Sequence, residues 1–372
     1  MYRASYINVN LDAIKENFKN ATLFAQKEYT FAVVKANAYG HGAVEVAEAV
    51  LEAGATHLAV ATFEEALELR REFPRVPILV MGYTDSKFFM DASRYAITLT
   101  ISNMDQIRKL VNYNDQLKIH FKVNTGMNRL GFSTLEEVRE AYVAIRYNTN
   151  LVIEGLYTHF ATADMLNIAY YHKQYELFNR IVDDVGKFFK IIHCQNSAGT
   201  LYPLDGMEKC NAFRLGIAMY GYNPSDEKTA SFELTPALEF FSHISGILEL
   251  KKGSKVGYGA TYTLKEDGFV ATIPIGYADG VIRANSGREV AINGKRFKII
   301  GRVCMDQLMI LVDDSIRLGD KVELIGSTIK ISEVSKHLDT IDYEVLCLIS
   351  DRVTRVYYEN SEEINQKCFR YI

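Results

Sequence analysis

The chain contains 372 residues, which is long enough for two domains, and 48% of them are hydrophobic. Charged residues make up 24% and the formal net charge is −4, so the composition gives no reason to expect a nucleic-acid or membrane-surface partner. The five cysteines have no short paired spacing, which predicts free thiols in a reducing compartment rather than a disulfide framework or a zinc site. The first residues lack the apolar core of a signal peptide and no run of about 18 apolar residues occurs, so we expect a cytoplasmic protein.

Short apolar segments alternate with helical patterns through the first part of the chain. Residues 6–10 alternate like a strand, and Asp12–Gln26 has helical spacing. Further strands are predicted at 31–34, 57–61, 77–81, 97–100, 119–123, 151–157, 191–194 and 213–218. The clearest helical patterns between them are Ala43–Glu52, Phe63–Glu72, Leu135–Asn148 and Tyr170–Phe189. Thr62 and Glu65 form a capping-box signature for the second of these helices.

Eight evenly spaced strands separated by helices favour a closed parallel (β/α)8 barrel, which we place at residues 10–234. An open doubly wound sheet is the structural alternative. From residue 235 onward, short β-rich runs separated by glycine-containing turns predict a second, mainly β domain over residues 235–372. The runs are Phe240–Leu248, Phe269–Ile275, Glu289–Ile292, Phe297–Val303 and Gln307–Val312, with a hairpin at Asn293-Gly294 and one helical pattern at Ile331–Leu338. The strand within residues 1–9 is expected to pair into this domain.

Polar and cationic residues follow the predicted barrel strands. They are Lys35, Tyr39, Thr62, Tyr83, Lys122, Asn124, Arg129, His159, Asn196, Ser197, Arg214 and Gly216. Because active sites of such barrels lie at the carboxyl ends of the strands, this set predicts an anion-binding catalytic mouth.

Lys35 is the most informative of these residues, since it ends a buried strand. It is either a lysine whose head reaches solvent or a lysine with a lowered pKa that forms a Schiff base. Ser197 and Gly216 lie in the last two loops, where barrels of this type hold phosphate with backbone N–H groups. A phosphate site together with a strand-end lysine indicates pyridoxal 5′-phosphate. The histidines other than His159 show no metal-ligand spacing, and we interpret them as surface or core residues and expect no metal.

Several motifs along both predicted domains resemble the bacterial alanine racemases, a pyridoxal-phosphate-dependent family of fold-type III. The motifs are Val34–Gly42, Asn124–Phe132, Gly155–Asp164, Asn196–Ala198, Arg214–Gly221, Gly257–Tyr262, Pro274–Gly280 and Gly301–Gln307. The resemblance implies an enzyme that interconverts L- and D-alanine and supplies D-alanine for peptidoglycan.

The resemblance also implies roles for single residues. Lys35 would hold the cofactor and act as one base, and Tyr258 would act as the second base on the opposite face of the substrate. An unperturbed phenol has a pKa of roughly 10, so Tyr258 would need His159 and Arg214 as supporting partners. Arg214 would face the pyridine nitrogen of the cofactor. Taken without its motif, Tyr258 is far more typical of a tyrosine packed in a turn, in a chain with 23 tyrosines.

Other positions would bind the cofactor and the substrate. Tyr39, Ser197, Gly216 and Ile217 would contact the phosphate, and Arg129 would reach the substrate carboxylate and the phenolic oxygen of the cofactor. Met305 and Tyr277 would line the substrate side of the pocket. Lys122 matches a family position that is often carbamylated, although it could also be an ordinary strand-end cation. The family resemblance further implies a head-to-tail homodimer with shared active sites.

Three positions depart from the usual family pattern. Asn124 and Asn128 stand where aspartate and glycine are common, without an obvious catalytic cost. Asp351 stands where several relatives carry a tyrosine that reaches the phosphate, and an aspartate there would repel phosphate unless it turned away or paired, for example with Arg352. A serine-preferring or broad-specificity racemase therefore remains an alternative, as do a barrel-type amino-acid decarboxylase and a non-catalytic protein that binds pyridoxal phosphate.

Overall fold

A computed structural model describes Arg3 and residues 5–368, and these residues form two compact units. The first unit comprises Ala13–Ala38 and Ala43–Pro236. The second comprises Tyr39–Gly42 together with the described residues of 1–12 and 237–372. The sequence assigned Tyr39–Gly42 to the barrel, whereas these residues group with the second unit, because Arg355 Nε donates to the Gly40 carbonyl at 3.1 Å and the Tyr39 and Tyr343 rings lie 6.0 Å apart.

The first unit is a parallel barrel, as the alternation of strands and helices predicted. After β1 (Tyr6–Asn10), which belongs to the second unit, eight strands of the described chain close in sequence order with β2 pairing to β9. They are β2 (Tyr29–Val33), β3 (His57–Val60), β4 (Ile78–Tyr83), β5 (Thr98–Ile101), β6 (Leu117–Lys122), β7 (Leu151–Tyr157), β8 (Ile191–Gln195) and β9 (Ala212–Leu215). Closure rules out the open-sheet alternative.

One helix precedes β2 and the others connect the barrel strands; the longer ones bury one apolar stripe each, whereas every residue of the short helix Ser197–Leu201 is buried. Their bounds are Leu11–Ala25, Ala43–Glu52, Phe63–Glu72, Phe89–Arg94, Met104–Leu110, Leu135–Ile145, Ala169–Val185 and Ser197–Leu201. The predicted capping box is present: Thr62 Oγ1 accepts the Glu65 N–H, and the Glu65 carboxylate accepts the Thr62 N–H. The two short helices at Phe89–Arg94 and Met104–Leu110 escaped prediction because each spans fewer than two helical turns of periodic pattern.

The second unit is built on strands, with two helices at Ile331–His337 and Asp342–Leu348. Its strands are β10 (Leu238–His243), β11 (Gly246–Leu250), β12 (Lys255–Val256), β13 (Tyr262–Thr263), β14 (Gly268–Ile273), β15 (Glu289–Ile292), β16 (Lys295–Ile300), β17 (Leu308–Val312), β18 (Lys321–Ile325), β19 (Thr354–Glu359) and β20 (Glu362–Lys367). The main sheet has the order β11-β14-β17-β16-β15-β18-β10-β1-β19-β20, so the amino-terminal strand pairs into this unit as expected.

The prediction of one continuous β-rich run at Phe240–Leu248 was wrong. It is two strands, because the chain changes partners at Ile244 and Ser245: the Ile244 N–H donates to the Asp320 carbonyl, and the Ser245 N–H donates to the Thr272 carbonyl. The hairpin between β15 and β16 is confirmed, with Asn293 and Gly294 at φ values of 51° and 78°. Within the described residues, no helix is long and apolar enough to span a bilayer.

Candidate active site

Lys35 follows β2 at the carboxyl end of the barrel and begins a backbone turn of unusual hand. The four residues Ala36–Tyr39 all have left-handed φ values of 51° to 52°. Residues with a Cβ disfavour this conformation by about 1–2 kcal/mol each, so it persists only where other contacts impose it. The direction of the Lys35 backbone is therefore set by the surrounding fold rather than by local preference.

Glu65 holds the start of this turn. One carboxylate oxygen accepts the Ala36 N–H at 2.7 Å, and the other accepts the N–H groups of Ala61 and Thr62 at 2.8 and 3.1 Å. The same side chain thus caps the helix Phe63–Glu72 and fastens the residue next to Lys35. Asn37 adds a second fastening, because its Oδ1 accepts the Ala43 N–H at 2.8 Å.

Cationic side chains surround Lys35 at the barrel mouth. Burial, together with the charges of Arg129, Arg214 and Lys35, lowers the pKa of Lys122 to about 8. Burial likewise lowers the pKa of His159 well below its usual range, and the same cations together with Lys122 add to the effect. His159 is therefore neutral at physiological pH. The mouth gathers four cations, and this concentration of charge favours an anionic ligand.

Arg214 is the most deeply buried of these cations, with 2% of its surface exposed. Its described hydrogen bonds all go to neutral acceptors. They are Thr158 O at 2.9 Å, Cys194 O at 3.2 Å, His193 Nδ1 at 2.8 Å, His193 O at 3.4 Å and His159 Nδ1 at 3.3 Å. None of these acceptors carries a negative charge, so they leave the positive charge of the guanidinium uncompensated. The Tyr157 ring lies between Arg214 and Lys122, at 5.3 and 5.6 Å from the two cationic groups.

The last two barrel loops meet at Ser197. Asn196 caps the helix Ser197–Leu201, and the buried Ser197 Oγ accepts N–H bonds from Gly216 at 2.9 Å and Ala218 at 3.4 Å. Ile217 begins a short 3-10 helix, Ile217–Tyr220, directly after Gly216. Ser197, Gly216 and Ile217, which the sequence predicted as phosphate contacts, therefore lie together.

The chemistry of this donor set fits pyridoxal 5′-phosphate. Lys35 supplies a primary amine, and the four cations supply the charge that a phosphate and a phenolate require. The hydroxyl and backbone donors of the Ser197–Ile217 region are of the kind that binds phosphate oxygens. Without an anion to balance them, these four cations would destabilise the barrel mouth.

Arg129 is exposed and lies on the loop between β6 and the helix Leu135–Ile145. The structure explains why asparagine stands at positions 124 and 128 of this loop. Asn124 Oδ1 accepts the N–H groups of Gly126 at 3.2 Å and Asn128 at 2.8 Å, and Asn128 adopts a φ of 53°. Glycine and asparagine both tolerate this left-handed conformation, so asparagine can stand where glycine is usual.

Tyr258, Tyr277 and Met305 belong to the second unit and keep much of their surface exposed: 72%, 40% and 52% respectively. The last two lie on joined loops, because the Tyr277 N–H donates to the Cys304 carbonyl and the Ala278 N–H to the Met305 carbonyl, both at 3.0 Å. Gly276 permits this approach, since a Cβ there would lie 2.3 Å from the Cys304 oxygen.

Tyr258 borders a cavity of about 530 Å³ in the second unit, which Cys304 and Met309 also line. Gly257 precedes it with a φ of 73° and turns the chain so that the tyrosine faces outward. Tyr258, Tyr277 and Met305 thus lie on neighbouring loops, and the side chain of Tyr258 is largely exposed.

The two remaining predicted positions, Tyr39 and Asp351, also belong to the second unit. The Tyr39 side chain is 6% exposed. The Asp351 carboxylate is 60% exposed and lies 4.0 Å from Arg355. Arg352, which the sequence suggested as its partner, forms ion pairs with Asp279 at 3.1 Å and Asp306 at 2.6 Å.

The sequence analysis missed the connection between Arg214 and the histidines of the barrel interior. It treated His120 and His193 as ordinary core residues, whereas His193 contacts Arg214 and His120 contacts His193 at 3.0 Å. One signal was present: Lys118, His120 and Lys122 alternate along β6, so the strand must point three polar side chains into the barrel.

Comparison with known proteins finds similarity over both units. Residues 9–224 match the family described as "Alanine racemase, N-terminal domain", and residues 237–357 match "Alanine racemase, C-terminal domain". The alanine racemase of Halalkalibacterium halodurans is 42% identical over 383 residues, which covers 98% of each chain. The crystal structure of alanine racemase from Bacillus anthracis with bound L-Ala-P has a TM-score of 0.94 and 38% identity, and covers 99% of this chain and 98% of that one. Histidine racemase from Leuconostoc mesenteroides has a TM-score of 0.88 and 32% identity, over 96% and 99% of the two chains.

Proposed function

Since this chain belongs to the alanine racemase family, we propose that it interconverts L- and D-alanine with pyridoxal 5′-phosphate as its cofactor. The observation that carries the proposal is the position of Lys35 at a barrel mouth that is rich in cations and in phosphate-type donors. The product D-alanine would serve peptidoglycan synthesis, and the cytoplasmic location expected from the sequence fits that use.

The cofactor, when bound, withdraws electrons from the substrate Cα and so makes its proton acidic. Racemisation then requires two groups that exchange a proton with Cα on opposite faces. We assign Lys35 Nζ to one face and Tyr258 Oη to the other. Lys35 is suited to this role because a primary amine can both form the Schiff base and, once released from it, exchange a proton with Cα.

Arg214 and His159 would set the polarity around the reacting atoms. Arg214 is a donor only and stays protonated, so it would offer N–H groups to the ring nitrogen of the cofactor without favouring protonation of that nitrogen. This limits the electron-withdrawing power of the ring and suppresses transamination as a side reaction. Neutral His159, hydrogen-bonded to Arg214 at 3.3 Å, would support Tyr258.

Binding of the charged groups would be divided among the other predicted residues. Ser197, the backbone of Gly216 and Ile217, and Tyr39 would hold the phosphate, and Arg129 would form a bidentate contact with the substrate carboxylate. The pKa of about 8 for Lys122 supports the hypothesis of carbamylation, because the neutral amine is the form that reacts with carbon dioxide. Carbamylated Lys122 would attract and orient Arg129.

We propose further that the active enzyme is a head-to-tail homodimer in which Tyr258, Tyr277 and Met305 of one copy enter the barrel mouth of the other. The exposure of these three side chains in a single chain supports this assembly. Mixing inactive Lys35→Ala and Tyr258→Phe chains tests it, because hybrid dimers would regain one complete site. Full activity of a monomer, or no regain after mixing, would contradict shared sites.

The central assignment is tested by the visible absorbance spectrum of the purified holoenzyme and by exchange of the alanine α-proton in deuterated water. We expect a Schiff-base band that Lys35→Ala abolishes, together with loss of exchange. Lys27→Ala removes a lysine that binds the Met207 carbonyl and serves as the control. A band that survives in Lys35→Ala would refute Lys35 as the cofactor lysine. A cofactor-binding wild type without exchange would favour the non-catalytic alternative, and release of carbon dioxide would favour a decarboxylase.

The choice of alanine over serine is supported by the setting of Asp351. Because its carboxylate is exposed and lies near Arg355, we propose that it does not approach the phosphate and does not reshape the substrate pocket. Initial rates with L-alanine and L-serine test this, and Asp351→Asn should leave their ratio within about twofold. A higher kcat/KM for serine would overturn the assignment.

A further inference from the structure

A continuous series of hydrogen bonds crosses the barrel interior from Arg214 to Glu154. Arg214 Nη1 donates to His193 Nδ1 at 2.8 Å, and His193 Nε2 lies 3.0 Å from His120 Nδ1. His120 Nε2 in turn lies 3.1 Å from a carboxylate oxygen of Glu154. We call the set Glu154, His120, His193 and Arg214 the interior relay.

The donors and acceptors of the interior relay can be assigned from Arg214 alone. A guanidinium has no acceptor, so His193 Nδ1 must accept and His193 Nε2 must carry the proton. His120 Nδ1 is then the acceptor, which leaves the proton of His120 on Nε2, where it meets the Glu154 carboxylate. Both imidazoles are neutral Nε2–H tautomers in this arrangement, and every ring nitrogen of the two histidines has a partner.

Packing prevents the two imidazoles from leaving this arrangement. His193 is stacked between Phe31 and Tyr157, with ring centroids 4.9 and 4.6 Å away and interplanar angles of 13° and 10°. His120 occupies space that exists only because residue 155 is glycine, since a Cβ there would lie 2.3 Å from His120 Nδ1. The rings are therefore fixed by shape as well as by hydrogen bonds.

The charges around the interior relay favour neutral histidines and an ionised Glu154. Burial and the charge of Arg214 lower the pKa of His193, and burial lowers the pKa of His120. Burial alone would raise the pKa of Glu154, but its hydrogen bonds to His120 and Lys118 reverse this, and Lys118 Nζ lies 3.0 Å from the carboxylate. His57, on β3, is also kept neutral chiefly by burial. Lys118, Lys190 and Arg214 are the remaining charged groups that act on these histidines.

We propose that Glu154 is a positioning residue for the catalytic mouth: it accepts the Nε2–H of His120 at the end of the relay opposite Arg214, and through His120 and His193 it holds the Arg214 guanidinium in one orientation. The inference rests on the proposed function for its catalytic meaning, because Arg214 is the group assigned to the cofactor ring. Through the two imidazoles, the negative charge of Glu154 also strengthens His193 Nδ1 as an acceptor, which balances part of the charge of Arg214 without a carboxylate beside it.

The tautomers are measured directly by 15N NMR of the imidazole nitrogens in the full chain labelled at histidine, with and without pyridoxal 5′-phosphate. Single His120→Asn and His193→Asn variants assign the signals. We expect Nε2–H tautomers for both histidines in the wild type. A protonated Nδ1 on His193 or His120 would overturn the proposal, whether or not the protein racemises alanine, so this result is independent of the proposed function.

A variant pair then tests the role of the carboxylate. Glu154→Gln removes the charge at constant size, and we expect both tautomers to persist while the 15N signal of His193 Nδ1 shifts, with a kcat for alanine about tenfold lower and a KM within twofold. Lys118→Met breaks the same ion pair but keeps the carboxylate, and should retain the His193 Nδ1 signal and a kcat within twofold of the wild type. An unchanged His193 Nδ1 signal together with an unchanged kcat in Glu154→Gln would refute the proposal. Equal loss in both variants would show that Glu154 acts only through the ion pair and would refute it too.

Discussion

The two units present their functional groups in opposite ways. The barrel buries Arg214 and Lys122, with 2% and 6% of their surfaces exposed, whereas the second unit leaves Tyr258 at 72% exposure. The barrel therefore fixes the environment of its groups within one unit, by burial and by neighbouring charge. The second unit fixes the backbone that carries its tyrosine and leaves the side chain exposed.

This difference has an energetic counterpart. Four cations at one mouth repel one another and resist desolvation, so the barrel without an anionic ligand is less stable than its packing would allow. In the second unit, Tyr258 carries no formal charge and is largely exposed. Changes in the barrel mouth should thus shift stability and activity in opposite directions, whereas changes at Tyr258 should shift activity alone.

The largest effect is expected from Tyr258→Phe. If Tyr258 is one of the two proposed bases, its loss should lower kcat by about 10²–10⁴-fold, because general acid–base groups contribute this much. The melting temperature should stay unchanged, since the side chain is largely exposed. Racemisation rates in both directions measure the effect, and Tyr262→Phe, a nearby tyrosine on β13, is the control. A loss below tenfold would remove Tyr258 from the chemistry.

A smaller effect, on stability, is expected from Lys122→Met. In the folded barrel the pKa of Lys122 is about 8, against an ordinary 10.5. Between these values the unfolded chain binds more protons than the folded one, so the stability contributed by this group rises with pH across that window. Below pH 8 the buried charge costs about 3 kcal/mol.

Urea unfolding of cofactor-free protein in buffer without carbon dioxide checks this prediction. The free energy of unfolding of Lys122→Met should exceed that of the wild type at pH 7, and the gap should close towards pH 10. Lys109→Met, on an exposed face of the helix Met104–Leu110, is the control for loss of a lysine charge. A constant gap across this range would show that Lys122 does not titrate there.

A smaller effect than that of Lys122→Met is expected from Gly276→Ala in the second unit. The added Cβ would lie 2.3 Å from the Cys304 oxygen and 2.5 Å from the Met305 oxygen, so the joined loops that carry Tyr277 and Met305 must separate. Overpacking of this kind costs about 1–3 kcal/mol, and we expect KM for alanine to rise. Gly246→Ala, whose Cβ would meet its nearest atom at 3.9 Å, should leave KM and stability unchanged. An unaltered KM in Gly276→Ala would show that these loops do not take part in substrate binding.

The smallest effect is expected at the hairpin between β15 and β16. Gly294 has a φ of 78°, and alanine there should destabilise the protein by about 1 kcal/mol through backbone strain. Thermal unfolding measures this loss, while kcat and KM should stay as in the wild type. Gly268→Ala, at an ordinary φ and with its nearest contact at 3.8 Å, is the comparison. A drop in activity would mean that the conformation of this hairpin affects the active site.

The sequence was most informative where one physical rule dominated. Buried parallel strands need apolar runs, so β2 to β9 were predicted close to their actual bounds. Strands β12, β13, β18, β19 and β20 were not predicted; of these, β20 is mostly exposed and lacks an apolar face. The break between β10 and β11 depends on a change of partner strand, which no local pattern encodes.

The site divides in the same way. Motif positions such as Lys35, Ser197 and Arg214 were predictable because each follows a strand, and all strand ends of a parallel barrel share one rim. The contact between His120 and His193 was not, since it joins strands that are not neighbours and depends on the stagger of the closed barrel. The orientation of Tyr258 is set by the positive φ of Gly257, which residue type allows but does not dictate.

The left-handed turn at Ala36–Tyr39 has a consequence for how the protein matures. Three of its four residues are alanine or tyrosine, so an unfolded chain has little local tendency to form it. The Glu65 carboxylate, which caps the helix Phe63–Glu72, accepts the Ala36 N–H of this turn. We therefore expect Lys35 to take its place together with that helix, and chains in which this part of the barrel is unfolded to leave the aldehyde of the cofactor unbound.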